Sequence, residues 1–159
     1  METKTPRPQT KSEEYRSECI RWMADFEPTL FVTFVFNSAI SADGARRKLE
    51  EFHKRLDGKL VGRAALRKPD ERSVYIAAIE KPDTNLHIHA LFKTSDLQSV
   101  RFGLVADDIW KKLAPAGDLV IKPVIYADGA AAYITKDLRP DSEMLLLPPH
   151  LERASRTFR

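Results

Sequence analysis

The chain has 159 residues, of which 43% are hydrophobic and 31% are charged, a balance typical of a soluble globular domain with a real core. A formal net charge of +3 and a sequence pI near 9.0 are compatible with a nucleic-acid partner but do not establish one. Cys19 is the only cysteine, which excludes an intramolecular disulfide. The sequence shows no signal peptide and no apolar run of about 18 residues, so we expect a cytoplasmic protein without a membrane span.

The first half of the chain predicts a helix, a strand and a second helix. Apolar spacing predicts an amphipathic helix over residues 13–26, and the continuous apolar run 31–36 predicts a strand buried on both faces. Ser41 is positioned to cap a helix over residues 41–57, with Leu49, Phe52, His53 and Leu56 on its apolar side. We therefore interpret His53 as a packing or boundary residue and not as a ligand.

Basic residues are concentrated in the second helix and in the connection that follows it. The helix carries five cations that predict a solvated face, with phosphate contact as the alternative: Arg46, Arg47, Lys48, Lys54 and Arg55. The connection over residues 58–72 carries another five: Lys59, Arg63, Arg67, Lys68 and Arg72. It predicts either a solvated loop or a track for a DNA backbone, and its residues 63–66 predict a short strand.

The most informative motif is His87-Ile88-His89, in a strand predicted over residues 85–92. Histidines one residue apart on a strand point to the same face, and neutral imidazole is the commonest metal ligand. A second strand over residues 73–80 precedes it, and a tight turn centred on Asp83-Thr84 would place Glu80 opposite His87. Two imidazoles and one carboxylate suit a divalent cation; the alternative is a cross-strand histidine pair without metal.

The second half of the chain predicts helix, strand and helix. A helix capped by Ser95 or Asp96 is predicted to end near Leu113, and its sheet-facing positions would be Leu97, Val100, Leu104, Ile109, Trp110 and Leu113. A strand over residues 120–124 follows. A helix over residues 128–138, capped by Asp128, would then place Tyr133 and Lys136 on one face.

The order of these motifs resembles that of HUH endonucleases, the family of rolling-circle replication initiators, relaxases and single-tyrosine transposases. An early hydrophobic strand is followed by Glu80 with His87-Ile88-His89, and then by Tyr133-Ile134-Thr135-Lys136. The chain most resembles the Rep branch, in which Tyr-x-x-Lys follows the His-hydrophobic-His strand. The resemblance covers residues 29–138.

This resemblance implies a fold and a set of residue roles. The fold would be α+β, with a central antiparallel sheet of about five strands flanked by helices in the ferredoxin-like HUH arrangement. Glu80, His87 and His89 would bind Mg²⁺ or Mn²⁺, Tyr133 would attack a DNA phosphate, and Lys136 would assist near the metal or the phosphate. Some phage initiators carry a second tyrosine four residues later. Asp137 stands at that position here, so a two-tyrosine cycle is not supported.

The implied function is a site-specific single-stranded DNA endonuclease that nicks and rejoins through a 5′-phosphotyrosine and initiates rolling-circle replication of a plasmid, phage or mobile element. Its expected partners are single-stranded DNA or an origin hairpin, and a host helicase. A single-tyrosine transposase of the same superfamily and a Rep-like module that binds without cutting are the alternatives. The position of Lys136 favours Rep over the transposase.

The predicted organisation is one domain between two tails. Residues 1–12 are polar, so we expect them to be disordered. The endonuclease-like domain is predicted to span residues 13–139. The remaining residues, 140–159, contain three prolines and end with Arg153, Arg156 and Arg159, so we expect this tail to cover the active face or contact DNA.

Overall fold

Helices cover both faces of one antiparallel sheet in the computed structural model, which describes residues 6–63, 67–140 and 143–151. Within these ranges the helices are α1 (Lys11–Asp25), α2 (Ala42–Leu60), α3 (Asp96–Leu113) and α4 (Ala127–Ile134). The strands are β1 (Leu30–Val35), β2 (Val74–Glu80), β3 (His87–Lys93), β4 (Asp118–Pro123) and β5 (Leu145–Leu146). They lie in the order β4-β1-β3-β2-β5, and every neighbouring pair is antiparallel. The predicted α+β fold with five antiparallel strands is confirmed.

The two faces of the sheet form two separate apolar clusters, because side chains alternate along each strand. One face packs under α2 and α3, where Phe34 and Phe52 surround the fully buried indole of Trp110. Trp110 is thus a core residue, as predicted. The other face packs under α1 and α4 and includes Leu91 and Ile134. His87 and His89 lie on this second face because they alternate in step with Leu91.

Strand β1, which lies between β4 and β3, is not buried on both faces as predicted. Leu30, Val32 and Phe34 are buried, whereas Phe31 and Thr33 are only partly covered. The continuous apolar run had indicated full burial, but α4 leaves part of this face open beside the histidines. The inner strands β2 and β3 have the two-sided burial instead.

Three helices differ from their predicted bounds, and α2 continues to Leu60 instead of ending at residue 57. Helix α1 begins at Lys11 because Thr10 and Glu13 form a capping box, so residues 11 and 12 are helical, while residues 1–5 lie outside the described part. Helix α4 is shorter than predicted, and its N-cap is Tyr126, not Asp128. The chain leaves helical geometry after Ile134 and turns, so Lys136 follows the helix and does not lie on it.

Helix α3 has its predicted cap and C-terminus, but a different side of it faces the sheet. Ser95 forms a capping box with Gln98, and the helix ends at Leu113. Leu97, Val100 and Leu104 are 61%, 63% and 75% exposed, so their predicted packing on the sheet is wrong. The helix carries two apolar stripes, and the stripe with the larger side chains, Phe102 and Trp110, is the one that packs.

Part of the predicted C-terminal tail belongs to the sheet. Leu145–Leu146 forms β5 and pairs with Ala77 and Ala78 of β2, so the chain returns to the sheet after the predicted domain boundary. The predicted strand at residues 63–66 is not observed at Arg63, which is in a 3₁₀ turn; residues 64–66 lie outside the described part. The terminal arginines Arg153, Arg156 and Arg159 also lie outside the described part.

Candidate metal and nucleophile site

The hairpin of β2 and β3 places three polar side chains on one surface. Glu80 and His87 are the last paired residues of the two strands, and Ala78 pairs with His89. The predicted register, on which the cluster depended, is therefore confirmed. The six residues between the strands turn the chain, with the amide of Thr84 donating to the carbonyl of Lys81 at 3.3 Å. A register one residue different would have turned Glu80 to the opposite face.

One carboxylate oxygen joins both histidines. Oε2 of Glu80 lies 2.6 Å from Nε2 of His87 and 2.7 Å from Nε2 of His89. One ligand atom from each residue lies within 4.8 Å of the others, so the three side chains can hold a metal ion. Glu80 and His89 are buried and His87 is partly exposed, which leaves one side of the cluster accessible from solvent. Sites of two imidazoles and one carboxylate keep coordination positions open for water or substrate.

Hydrogen bonds at the far side of each imidazole orient the two rings. Nδ1 of His87 lies 3.0 Å from the carbonyl oxygen of Asn85, and Nδ1 of His89 lies 3.0 Å from Oγ1 of Thr33. A carbonyl only accepts, so Nδ1 of His87 donates to Asn85, and Nε2 is the ring atom directed at the carboxylate and positioned to bind a metal ion. Such outer hydrogen bonds are what metal-binding histidines ordinarily have, and the donor set therefore fits a divalent cation.

The electrostatics keep the carboxylate charged and the buried imidazole neutral. Burial acts to raise the pKa of Glu80, but hydrogen bonds from Lys136, His89 and His87 outweigh it and lower that pKa to about 2. Burial lowers the pKa of His89 below its ordinary value, although Glu80 acts in the opposite direction. Near neutral pH, Glu80 and His89 are therefore in the protonation states that a metal ion requires.

Lys136 connects the cluster to Tyr133. Its Nζ donates to Oε1 of Glu80 at 2.6 Å and lies 4.2 Å from the centre of the Tyr133 ring, a cation–π distance. Hydrogen bonding and charge attraction from Glu80 raise the pKa of Lys136, so its ammonium persists at neutral pH. The turn after α4 thus brings Lys136 against the cluster of Glu80, His87 and His89.

Tyr133 itself packs against the histidine pair and remains half exposed. Its ring lies 5.2 Å from the His89 ring in an edge-to-face arrangement, and 5.8 Å from the Phe31 ring. The side chain is 49% exposed, so a solvent-borne substrate can reach it. Buried neighbours on α4, Ala131 and Ile134, hold the helix on the sheet. The fold brings together all five residues that the sequence suggested: Glu80, His87, His89, Tyr133 and Lys136.

An open groove of about 610 Å³ adjoins the tyrosine and the histidine pair. Phe31, Thr33, His89 and Tyr133 form one end of it, and the rest is mainly apolar with a single cation: Val120, Lys122, Pro123, Val124, Ile125 and Ala130. Its size lies within the range of small-molecule sites. The groove can accept a planar apolar group next to Tyr133.

Phe31 and Thr33 are the site residues that sequence reasoning missed. Both belong to β1, where Thr33 pairs directly with His89. Their alternation with Leu30, Val32 and Phe34 places them on the opposite face of β1. The sequence hides this alternation because nearly every residue of the strand is apolar. The pairing of β1 with β3 joins residues far apart in sequence, and no local turn specifies its register.

The remaining two histidines belong to a different, buried network. Nε2 of His53 lies 2.9 Å from the carbonyl of Ser73, and its Nδ1 accepts from Arg72 at 3.0 Å. Asp57 accepts from Arg72 and from the hydroxyl of Ser73. The ring of His150 stacks on that of His53. This network ties α2 to the start of β2, which confirms that His53 is a packing residue.

Comparison with known proteins identifies no relative: no protein-family model, no curated protein and no solved structure matches this chain. None of the helices in the described ranges is long and apolar enough to span a bilayer.

Proposed function

We propose that the protein is a metal-dependent endonuclease of single-stranded DNA, of the HUH type, with Tyr133 as its nucleophile. The observation that carries the proposal is the packing of Tyr133 on His89, with Lys136 contacting both the tyrosine ring and Glu80. A half-exposed phenol, a lysine and a two-histidine carboxylate cluster are the groups needed to attack a phosphodiester and stabilise its transition state.

The cluster supports Mg²⁺ or Mn²⁺ as the cofactor. Glu80, His87 and His89 would hold the ion, which when bound would polarise the phosphate and offset its developing charge. Carboxylate and imidazole ligands suit Mn²⁺, and Mg²⁺ accepts one carboxylate with several waters.

The proposed reaction exchanges one phosphate ester for another. The Tyr133 oxygen attacks the phosphorus, its proton passes to solvent, and the bond from phosphorus to the 3′ oxygen breaks. The 3′ oxygen takes up a proton as a free hydroxyl, and the 5′ phosphate remains on the tyrosine. Lys136 balances charge on the phosphate oxygens. Attack by a 3′ hydroxyl on the phosphotyrosine reverses the step and rejoins the strand without a nucleotide cofactor.

The groove beside Tyr133 favours a single strand as substrate. A phosphate at the tyrosine leaves the adjacent base free to lie between Phe31, Val120 and Ile125, and only an unpaired base is available for such contact. A free 3′ hydroxyl can prime synthesis, so the proposed biological role is to initiate rolling-circle replication at an origin strand or hairpin, with a host helicase.

Trapping a covalent adduct tests this function. The protein would be incubated with labelled single-stranded DNA and Mn²⁺, denatured, and resolved by electrophoresis. We expect an adduct with the parent and none with Tyr133→Phe, which lacks only the attacking oxygen. Tyr126→Phe is the matched control, since Tyr126 is 79% exposed and is the N-cap of the helix that carries Tyr133.

Two results would redirect the proposal. Linkage retained in Tyr133→Phe but lost in Tyr126→Phe would move the nucleophile to Tyr126. Tight binding of single-stranded DNA with no adduct from any variant would favour the non-cleaving binding module.

A further inference from the structure

A groove of about 400 Å³ runs between α2 and α3, on the opposite side of the sheet from the metal and nucleophile site. Its lining contains five cations and one carboxylate: Lys54, Arg55, Lys59, Arg63, Lys112 and Glu51. Gly58 and Ile109 complete the lining. The proposed nuclease reaction uses none of these residues.

The charges in this α2–α3 groove are largely unpaired. Nε of Arg55 lies 2.8 Å from Oε1 of Glu51, which accounts for the single carboxylate. The other four cations are exposed and make no ion pair with any residue that the structure describes: Lys54, Lys59, Arg63 and Lys112. Five cations against one carboxylate give the lining a net charge of +4, which exceeds the +3 of the whole chain. Positive charge is therefore concentrated along this groove, where it attracts a polyanion.

Gly58 lies among the cations that line the groove. Gly58 lies inside α2, where glycine is less favourable than alanine by about 1 kcal/mol. A Cβ at this position would meet nothing within 4 Å, so packing does not demand the glycine. The position therefore has room for a side chain among the cations.

We propose that the α2–α3 groove binds the phosphate backbone of duplex DNA. A duplex presents one negative charge per roughly 1.7 Å, a spacing that several neighbouring cations can contact together. The lining contains no aromatic side chain, so it lacks the stacking platform that single strands use. The two sides of the sheet would thus hold different forms of DNA, and this proposal does not depend on the nuclease function.

Substitution of Gly58 gives a sharp test, because the position has room for a side chain. Binding of a fluorescent 20-base-pair duplex would be measured by anisotropy in EDTA, which removes any contribution from a metal. Gly58→Glu adds a carboxylate among the cations and should weaken duplex binding about tenfold, whereas Gly58→Ala should bind like the parent. Circular dichroism would verify that both variants are folded.

The salt dependence provides a second measurement. Four free cations predict a slope of log K against log salt concentration of about −3.6, and the double variant Lys59→Gln, Lys112→Gln should reduce its magnitude by about 1.8. Equal duplex affinity in the parent and Gly58→Glu would overturn the proposal. The proposal would also be overturned if Gly58→Glu kept its affinity for the duplex and lost affinity only for phosphatidylserine vesicles or only for single-stranded DNA. Parent-like adduct formation by Gly58→Glu with single-stranded DNA and Mn²⁺ would distinguish this groove from the nuclease site, because Gly58 lies outside that site.

Discussion

Nζ of Lys136 lies 2.6 Å from Oε1 of Glu80, while the other oxygen of that carboxylate contacts both histidines. The two oxygens of Glu80 therefore connect different parts of the site. One belongs to the histidine pair, and the other holds the lysine that lies over the Tyr133 ring. Because of this arrangement, we expect substitutions of the histidines to change metal affinity and substitution of Lys136 to change mainly the rate of adduct formation.

Lys136→Met should reduce adduct formation without weakening metal binding. The variant removes a positive charge next to Glu80, so affinity for Mn²⁺ should be unchanged or higher. The rate of adduct formation should fall by about 10²-fold or more, because the phosphate loses a charged donor. Calorimetry and single-turnover assays measure the two effects. A large loss of Mn²⁺ affinity would show instead that Lys136 mainly orients Glu80.

His89→Ala should abolish measurable Mn²⁺ binding, with a loss of more than about 100-fold because an inner ligand is removed. Parent affinity should fall as the pH is lowered from 7 to 5, since protonated imidazole cannot ligate. Asp83→Asn is the matched control, because Asp83 is an exposed acid in the same hairpin. Parent-like Mn²⁺ binding by His89→Ala would remove the metal site.

Thr33→Val should weaken Mn²⁺ binding about tenfold while leaving the fold intact. The valine has nearly the same shape but cannot hydrogen bond to Nδ1 of His89, so the ring loses its outer partner. Thr33→Ser keeps the hydroxyl and should bind like the parent. Equal affinities in all three proteins would mean that ring packing against Phe31 is sufficient to orient His89.

Stability should depend on pH through His53. Burial lowers its pKa to about 4, against the opposing effect of Asp57, while its ordinary value is 6.5. The unfolded chain therefore binds more protons between these values, so the free energy of unfolding falls as the pH drops through this window. Over the whole window the change corresponds to roughly 3 kcal/mol, of which about 2 kcal/mol falls between pH 7 and pH 5. Urea denaturation at pH 7 and pH 5 measures it. His53→Gln should show a smaller pH dependence, and an unchanged dependence would contradict the assignment.

The cluster of Glu80, His87 and His89 could be predicted because its geometry is local. Strand alternation and a short connection fix Glu80 opposite His87, and both features can be read from one hairpin. Thr33 could not be predicted in the same way, because its partner His89 is 56 residues away and the pairing depends on the complete sheet. The proximity of Tyr133 was predicted only through the order of the motifs.

Helix α3 shows a different limit of sequence interpretation. Its two apolar stripes have similar spacing, so periodicity alone could not decide which one faces the sheet. The choice is made by tertiary packing, where Phe102 and Trp110 fill the space beside Phe52. The prediction grouped members of both stripes, and it was correct only for Ile109, Trp110 and the partly buried Leu113.

The pairing of Glu80 with His87 at the very end of the ladder makes the hairpin tip a permissive place for change. Residues added between Pro82 and Thr84 would lengthen an exposed loop without altering the register behind it. Such additions would begin a few residues from Glu80 and His87. Insertions at this tip can therefore change the surroundings of the cluster while Glu80, His87 and His89 keep their positions.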